Sequence, residues 1–504
     1  MLATVQSARV RSEKRSPFVS TLPGDDEHPY RSGAWRPQTT EWTVREPRVI
    51  GDLPDDLSGV YLRNTENPLH PNIERYHPFD GDGMIHSVCF DNGEVQYRNR
   101  FVRTEGLLTE QVAGGSQWSG LAESPSRSPR PDGWGARGRM KDASSTDVVV
   151  HGGVALSSFY QCGDLYRLDP RTLDDLGRES WNGRFPAWGV SAHTKVDPHA
   201  DELLFFNYST VAPYMNYGVV DSEHRLVHST PIELPGPRLP HDMAFTENWA
   251  ILNDCPLFWD PDLLRRGVHA TKWHPELPTR FALVPRRGAA DQVRWFEAEP
   301  TYVLHWINAF EEVDHEGRWV VLDGFFQNQP SPSVPPDADL DARMFRFLDL
   351  WAMDSRPHRW RFNLDTGRTH ESPLDEHVTE FGMINDRHAG RPYRHYYSVV
   401  PTKGCFQFDG LVHNDLRDGS RDVWMFGEGV FGSETVMAPR TGSTAEDDGY
   451  LVTIVTDVPN DRSECLVFDA RRVGDGPLCR IELPERVSSG THACWAPALR
   501  LPTN

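Results

Sequence analysis

Apolar residues come in short runs along most of the chain, and Asp, Asn, Gly or Pro breaks each run after a few positions. Phe205-Phe206, Trp319-Val320-Val321-Leu322 and Leu466-Val467-Phe468 are such runs. A turn phrase recurs between them, as Asp91-Asn92-Gly93, Asp169-Pro170-Arg171-Thr172, Asp197-Pro198-His199-Ala200-Asp201 and Asp221-Ser222-Glu223. It returns as Asp314-His315-Glu316-Gly317, Asp365-Thr366-Gly367 and Asp469-Ala470-Arg471. Asp, Asn and Gly tolerate left-handed backbone angles and so suit tight turns between antiparallel strands. Helical periodicity is scarce. The pattern predicts an all-β chain of many hairpins, as in a β-propeller, where each blade is a small antiparallel sheet. The spacing is too irregular to count blades.

Gly and Pro number 40 each and are spread throughout, which leaves little room for long helices. Residues 107–142, rich in Gly, Ser, Pro and Arg, and residues 328–342, with Pro330, Pro332, Pro335 and Pro336, read as loop insertions capping one face of the propeller. A length of 504 residues suggests about three domains at ~150 residues each, but no linker divides the chain. The expected organisation is an N-terminal tail over 1–44, partly disordered, and a single propeller domain over 45–504.

Composition then narrows the function. The formal net charge of −21 argues against a nucleic-acid binder, which needs a basic face to neutralise phosphates. It also disfavours electrostatic docking on anionic lipid and leaves only a hydrophobic peripheral contact open. No apolar run approaches the ~18 residues of a membrane-spanning helix. The N-terminus shows no apolar signal region, and the basic residues Arg9, Arg11, Lys14 and Arg15 read as part of a plain tail. Seven cysteines without a Cys-x-x-Cys pair suit buried thiols of a cytoplasmic protein.

Four of the 21 histidines stand apart by context. His193 lies in Ser191-Ala192-His193-Thr194-Lys195-Val196, and His241 in Pro240-His241-Asp242-Met243-Ala244-Phe245. His305 opens His305-Trp306-Ile307-Asn308-Ala309-Phe310, and His492 lies in Gly490-Thr491-His492-Ala493-Cys494-Trp495. Each stands at the edge of an apolar strand, where it can point toward a central axis. The wide separations fit ligands drawn from different blades.

These four phrases, in this order, resemble the histidine motifs of the carotenoid cleavage oxygenase family. So do Gly59-Val60-Tyr61-Leu62-Arg63-Asn64, Phe79-Asp80-Gly81-Asp82-Gly83-Met84-Ile85-His86 and Ala445-Glu446-Asp447-Asp448-Gly449-Tyr450. The likeness spans roughly residues 45–500. It implies a seven-bladed propeller with Fe(II) on its axis, held by His193, His241, His305 and His492. Imidazole is a good ligand for Fe(II). Four neutral ligands leave the charge of the ion uncompensated, so acceptors behind the rings must fix their orientation and tautomers.

In the family three Glu residues do this. Glu380, in Thr379-Glu380-Phe381, and Glu434, in Ser433-Glu434-Thr435, match two of them. The third is expected near residue 160, where Phe159-Tyr160-Gln161-Cys162 holds no Glu. Gln161 or Tyr160 takes that place and can accept a hydrogen bond but brings no charge. The resemblance therefore implies a more positive site with a raised redox potential. Thr146, in Ser144-Ser145-Thr146-Asp147, matches a Thr whose methyl blocks a vacant iron position.

The resemblance further implies addition of O₂ across a conjugated C=C bond of a small hydrophobic alkene, giving two carbonyl fragments. The chain's 16 Trp, 24 Phe and 14 Tyr can line a tunnel; Tyr214, Tyr217, Phe310, Trp306 and Trp495 lie near the motifs. The polar stretch 107–142 and Leu263-Leu264-Arg265-Arg266 disfavour extraction of a substrate from a membrane, which suits a stilbenoid. Phe205-Phe206-Asn207-Tyr208 and Pro213-Tyr214-Met215-Asn216-Tyr217-Gly218 likewise look like the lignostilbene-type branch. Stilbene-cleaving members, however, ionise a phenol with a Tyr and a Lys. The matching positions here are Phe101 and Phe159 or Tyr160. The leading expectation is therefore cleavage of a carotenoid or apocarotenoid, with stilbenoid cleavage second. A non-catalytic binding propeller is the alternative from another class. A calcium-dependent propeller hydrolase would need mostly carboxylate and carbonyl ligands, which the imidazole-rich set does not supply.

Overall fold

The computed structural model describes residues 12–133, 140–266 and 270–501. Residues 1–11 of the expected tail, with Arg9 and Arg11, and 134–139 of the first expected insertion lie outside the described residues. All seven predicted turn phrases fall at strand ends: Asp91-Asn92-Gly93, for example, joins Gly83–Asp91 to Glu94–Phe101, and Asn92 takes a φ of 49°.

The strands form a ring of seven blades. Seven strands, one per blade, line a common central cavity: Gly490–Pro497, Asp147–His151, Lys195–Asp197, Ala244–Phe245, Trp306–Asp314, Glu380–Met383 and Val436–Pro439. They are the innermost strands. We number the blades from the one that holds Gly59–Glu66; its innermost strand is the C-terminal Gly490–Pro497, so Asp147–His151 belongs to the second blade and Val436–Pro439 to the seventh.

Two chain ends close the ring. Gly490–Pro497 runs antiparallel to Gly59–Glu66, with Cys494 opposite Leu62 and Ala496 opposite Val60. On the outer side Val49–Gly51 pairs with Pro477–Glu482 of the seventh blade. Closure of this kind ties the first and last blades together through backbone hydrogen bonds.

Blades pack face to face, so their middle strands are covered on both sides. Gly449–Asp457 is buried at every position, whereas Glu94–Phe101, nearer the rim, alternates with Val95, Tyr97 and Phe101 inward. Tyr61, Val88, Val452, Ile454 and Val467 fill the seam between the first and seventh blades. Arg63 is buried in the same middle layer, and its Nη1 donates to the Ile454 carbonyl at 3.0 Å.

The described part of the expected tail, residues 12–44, packs with the blades. Ser12–Arg15 pairs with Glu41–Val44, which extends the first blade beside Glu94–Phe101. Tyr30 and Trp35 are buried, and Trp35 Nε1 donates to the Phe406 carbonyl at 3.2 Å. Two aromatic anchors in a polar stretch carry no periodicity, which is why the pattern hides them. The first expected insertion is also more ordered than a loop. It carries the helix Glu105–Ala113, started by the Thr104 hydroxyl on the Leu107 amide and ended at Gly114 with φ 72°. It reaches the Pro78–Asp80 turn through the Leu121 amide on Asp80 Oδ1, at 2.9 Å. Beyond 328–342 the chain brings Leu348, Leu350 and Met353 against Phe381 and Phe406. These segments cap one end of the axis.

Candidate metal centre

The innermost strands share one functional end, and each blade places a polar residue there. Asp147 and Glu380 open their strands; His193, His241, His305 and Glu434 stand just ahead of theirs, and His492 is near the start of Gly490–Pro497. The four imidazoles are buried and converge: one ring nitrogen from each lies within 4.8 Å of the others. Ring centroids of His193 and His492 are 4.4 Å apart, and those of His241 and His305 are 5.2 Å apart. Nε2 of His193 and Nε2 of His241 face each other at 3.1 Å, and His305 Nε2 is buried with no hydrogen-bond partner among the described residues. Four buried imidazoles whose ring nitrogens converge on one point, with His305 Nε2 left without a partner among the described residues, fit a metal ion with imidazole preference.

Carboxylates hold three of the rings from behind. His305 Nδ1 lies 2.7 Å from Glu380 Oε2, which also accepts the Phe381 amide at 2.6 Å. His492 Nδ1 lies 3.3 Å from Glu434 Oε2, which accepts the Ala493 amide at 2.6 Å. His193 Nδ1 lies 3.0 Å from Asp147 Oδ2. A proton held on Nδ1 leaves the Nε2 lone pair directed inward.

The sequence reading placed an acceptor at Tyr160 or Gln161. Among the described residues, no hydrogen bond joins either of them, or any carboxylate, to His241. The Tyr160 ring packs beside His241 at 5.5 Å, and Gln161 Nε2 donates to the Tyr160 hydroxyl at 3.0 Å, while Gln161 Oε1 is buried without a partner. Asp147 places a third carboxylate at a different ring, that of His193. Asp147 was missed because an Asp beside a strand-edge Thr carries no spacing signal; only the ring of blades brings it to His193.

Burial sets the protonation of the cluster. It pushes the pKa values of His193 and His305 well below the ordinary histidine value, with repulsion from the neighbouring rings adding to it. It brings His241 down to about 3. These imidazoles are neutral near pH 7, as metal binding requires. For His492, burial acts downward but Glu434 outweighs it and the pKa is raised. Burial also raises Asp147 to about 7 and Glu380 well above the usual carboxylate range, so a cation at the centre would favour their charged forms. Lys195 Nζ sits 2.7 Å from Asp242 Oδ1 below the rings, in a cavity of about 210 Å³ along the axis.

On the capped side an arc of aromatic rings surrounds the imidazoles. Phe381 lies 4.4 Å from His305 and 4.9 Å from His492, and the arc continues through Phe406 and Phe79 to Tyr160. Consecutive side chains of a regular strand point to opposite faces, yet Glu380 and Phe381 both address His305. A register shift in this strand and a φ of 53° at Phe381 make that possible. Thr146 is buried in the same network: its Oγ1 accepts the Tyr160 amide at 3.1 Å, and its carbonyl accepts the Thr491 hydroxyl at 2.7 Å. Phe101 is not part of this site; its ring packs with Leu69, Met84, Leu107 and Phe18 in a satellite cluster. Trp306 and Trp495 line the axial cavity below the rings, and Tyr217 fills a seam between blades. The arc over the rings thus comes from residues that the sequence reading did not select for a wall.

Comparison with known proteins agrees with this geometry. The chain is 29% identical to an isoeugenol monooxygenase of Pseudomonas nitroreducens over 93% of its length and 98% of the relative's. It is 30% identical to a carotenoid 9,10(9',10')-cleavage dioxygenase of Pisum sativum over 94% of its length and 90% of that protein. Among solved structures, a lignostilbene dioxygenase of Pseudomonas brassicacearum superposes with a TM-score of 0.80 at 28% identity, covering 95% of this chain and all (100%) of that one. A cobalt-substituted apocarotenoid oxygenase of Synechocystis superposes with a TM-score of 0.79 at 25% identity, over 92% and 97% of the two chains. The sequence pattern described as retinal pigment epithelial membrane protein matches residues 35–497, and the chain therefore belongs to that family, the carotenoid cleavage oxygenases.

Proposed function

We propose that this chain is a non-haem Fe(II) dioxygenase that cleaves a conjugated C=C bond of a carotenoid- or apocarotenoid-type substrate into two carbonyl products. The observation that carries the reading is the convergence of four buried imidazoles from four blades, with carboxylates behind three of them and aromatic rings in front. His193, His241, His305 and His492 would hold the ion. Bound there, Fe(II) supplies the capacity to bind and activate O₂ beside an alkene. The remaining chemistry is done by the chain. Asp147, Glu380 and Glu434 retain the Nδ1 protons and keep the rings directed inward. Phe79, Tyr160, Phe381 and Phe406 offer flat apolar faces that orient a conjugated chain and exclude water. Thr146, its hydroxyl engaged with the Tyr160 amide, is left with its methyl to narrow the space beside the ion.

The pocket favours a polyene over a phenol. Ionising a phenol needs a base at its hydroxyl. Burial raises Tyr160 to about 12, so it stays neutral; Gln161 carries no charge, and Phe101 lies in its satellite cluster. Cleavage of a stilbenoid is the second reading, supported by the likeness to lignostilbene and isoeugenol enzymes.

The test is iron content of anaerobically purified protein, followed by exposure to a panel of apocarotenoids and stilbenes under ¹⁸O₂. About one iron per chain and labelled aldehyde or ketone fragments from the apocarotenoids are expected. Labelled fragments from stilbenes alone would select the second reading. A chain that takes up no Fe(II) would leave a binding propeller. Within the same assay His241→Ala is expected to abolish iron binding. His388→Ala is not, because that ring turns to the Pro392 carbonyl, with Nδ1 at 2.8 Å.

A further inference from the structure

Three of the four imidazoles meet a carboxylate through Nδ1, and in each case the carboxylate comes from a neighbouring blade. Glu380 of the sixth blade reaches His305 of the fifth, and Glu434 of the seventh reaches His492 of the first. Asp147 of the second blade reaches His193 of the third in the same manner, at 3.0 Å. All three occupy one station, at or just ahead of the start of the innermost strand.

The surroundings of Asp147 are built to aim it. Its carbonyl accepts Asn64 Nδ2 from the first blade at 3.2 Å and the Ser158 hydroxyl at 3.4 Å. Its own strand pairs it with Ser158. Asn64 also donates to the Ser144 carbonyl and to Ser157 Oγ, so both approaches to Asp147 are tied down. On the side chain, Oδ1 accepts the Val148 amide at 2.7 Å, which leaves Oδ2 for the imidazole. The other buried Asp nearby, Asp242, is taken up by Lys195 and by the Met243 and Trp306 amides. Among the described residues, Asp147 is the carboxylate that meets His193.

We propose that Asp147 is a positioning residue for the metal: through its hydrogen bond to His193 it fixes that ring's tautomer and supplies the third negative charge that balances the cation, leaving His241, among the described residues, as the ligand without a carboxylate. This rests on the reading of the four histidines as the metal site. The consequence is an asymmetric centre, with charge placed behind His193, His305 and His492 and an aromatic ring beside His241.

The test is binding of Fe(II) and of Co(II), by competition with a chelator, to the full chain and to the variants Asp147→Ala, Asp147→Asn and Glu380→Gln. The Co(II) absorption bands are recorded alongside, because they report ligand geometry without turnover. Asp147→Ala is expected to weaken metal binding by about 10- to 100-fold, comparably to Glu380→Gln, and to shift the Co(II) bands. Asp147→Asn, which keeps an acceptor and loses the charge, is expected to leave the bands near those of the unmodified chain with a smaller loss of affinity. Should Asp147→Ala not fold, the Asn variant carries the same comparison. Unchanged affinity and bands in both Asp147 variants, with Glu380→Gln weakened, would overturn the role of Asp147 and leave the metal site standing. If the unmodified chain binds neither ion, the metal site fails and this proposal falls with it.

Discussion

At the scale of single residues, the centre depends on hydrogen-bonded carboxylates, and the same physics recurs away from it. Glu179 is buried between the second and third blades. Burial alone would raise its pKa, but His224 Nδ1 at 2.9 Å and the Ser180 and Trp181 amides outweigh it and hold the value at about 2. The folded value lies below the ordinary 4.5, so the group contributes stability above pH 4.5 that is lost as pH falls toward 2. Glu179→Gln is therefore expected to cost about 1–3 kcal/mol near pH 7. Urea unfolding at pH 7 and pH 3 should show the difference from the unmodified chain shrinking at the lower pH. A residue with no such network would give the same difference at both. Phe381 shows the other face of local chemistry: a left-handed φ costs about 1–3 kcal/mol, and its strain is met by packing on two imidazoles.

At the scale of elements, strands and turns follow closely from the residue pattern, and the closure of the ring is the point at which they are most exposed to change. Gly490 opens the C-terminal strand where it crosses the first blade; a Cβ there would stand 2.4 Å from the Asn64 carbonyl oxygen and 2.8 Å from Thr65 Cγ2. Backbone and a packed side chain cannot both yield. Gly490→Val is expected to cost about 1–3 kcal/mol and to lower iron content, because His492 moves with the strand. Unfolding curves and metal analysis on the same preparation check both effects. The helix Glu105–Ala113 and the strands before residue 45 are the elements the pattern did not anticipate. Each is held by a few anchors, such as Trp35, Tyr30 and the Thr104 cap, whose worth depends on distant partners.

At the scale of the whole molecule, a single ion would tie together blades that are otherwise joined only to their neighbours. His193, His241, His305 and His492 come from the third, fourth, fifth and first blades. Metal binding that favours the folded state stabilises it by about 2.7 kcal/mol at a hundredfold excess over Kd. Fe(II) is thus expected to raise the Tm in a concentration-dependent manner, chelation to reverse it, and His241→Ala to show no shift. Calorimetric scans at several metal concentrations measure this directly.

What the sequence by itself determined is what short-range chemistry controls. Alternating apolar runs and Asp- and Gly-bearing turns predict hairpins, since strand period and turn angles are local properties. The phrases around His193, His241, His305, His492, Glu380 and Glu434 were marked by their resemblance to the motifs of a known family. Tertiary structure alone decided the rest. Asp147 reaches His193 because two blades meet at the axis; the Tyr160 ring lies tilted beside His241 where an acceptor was expected; Phe101 turns into a satellite cluster; and Phe79, Phe381 and Phe406 gather from three separate stretches of chain into one arc. Each of these depends on where blades and loops meet around the ring, a relation between residues far apart in the chain that no run of neighbouring residues encodes.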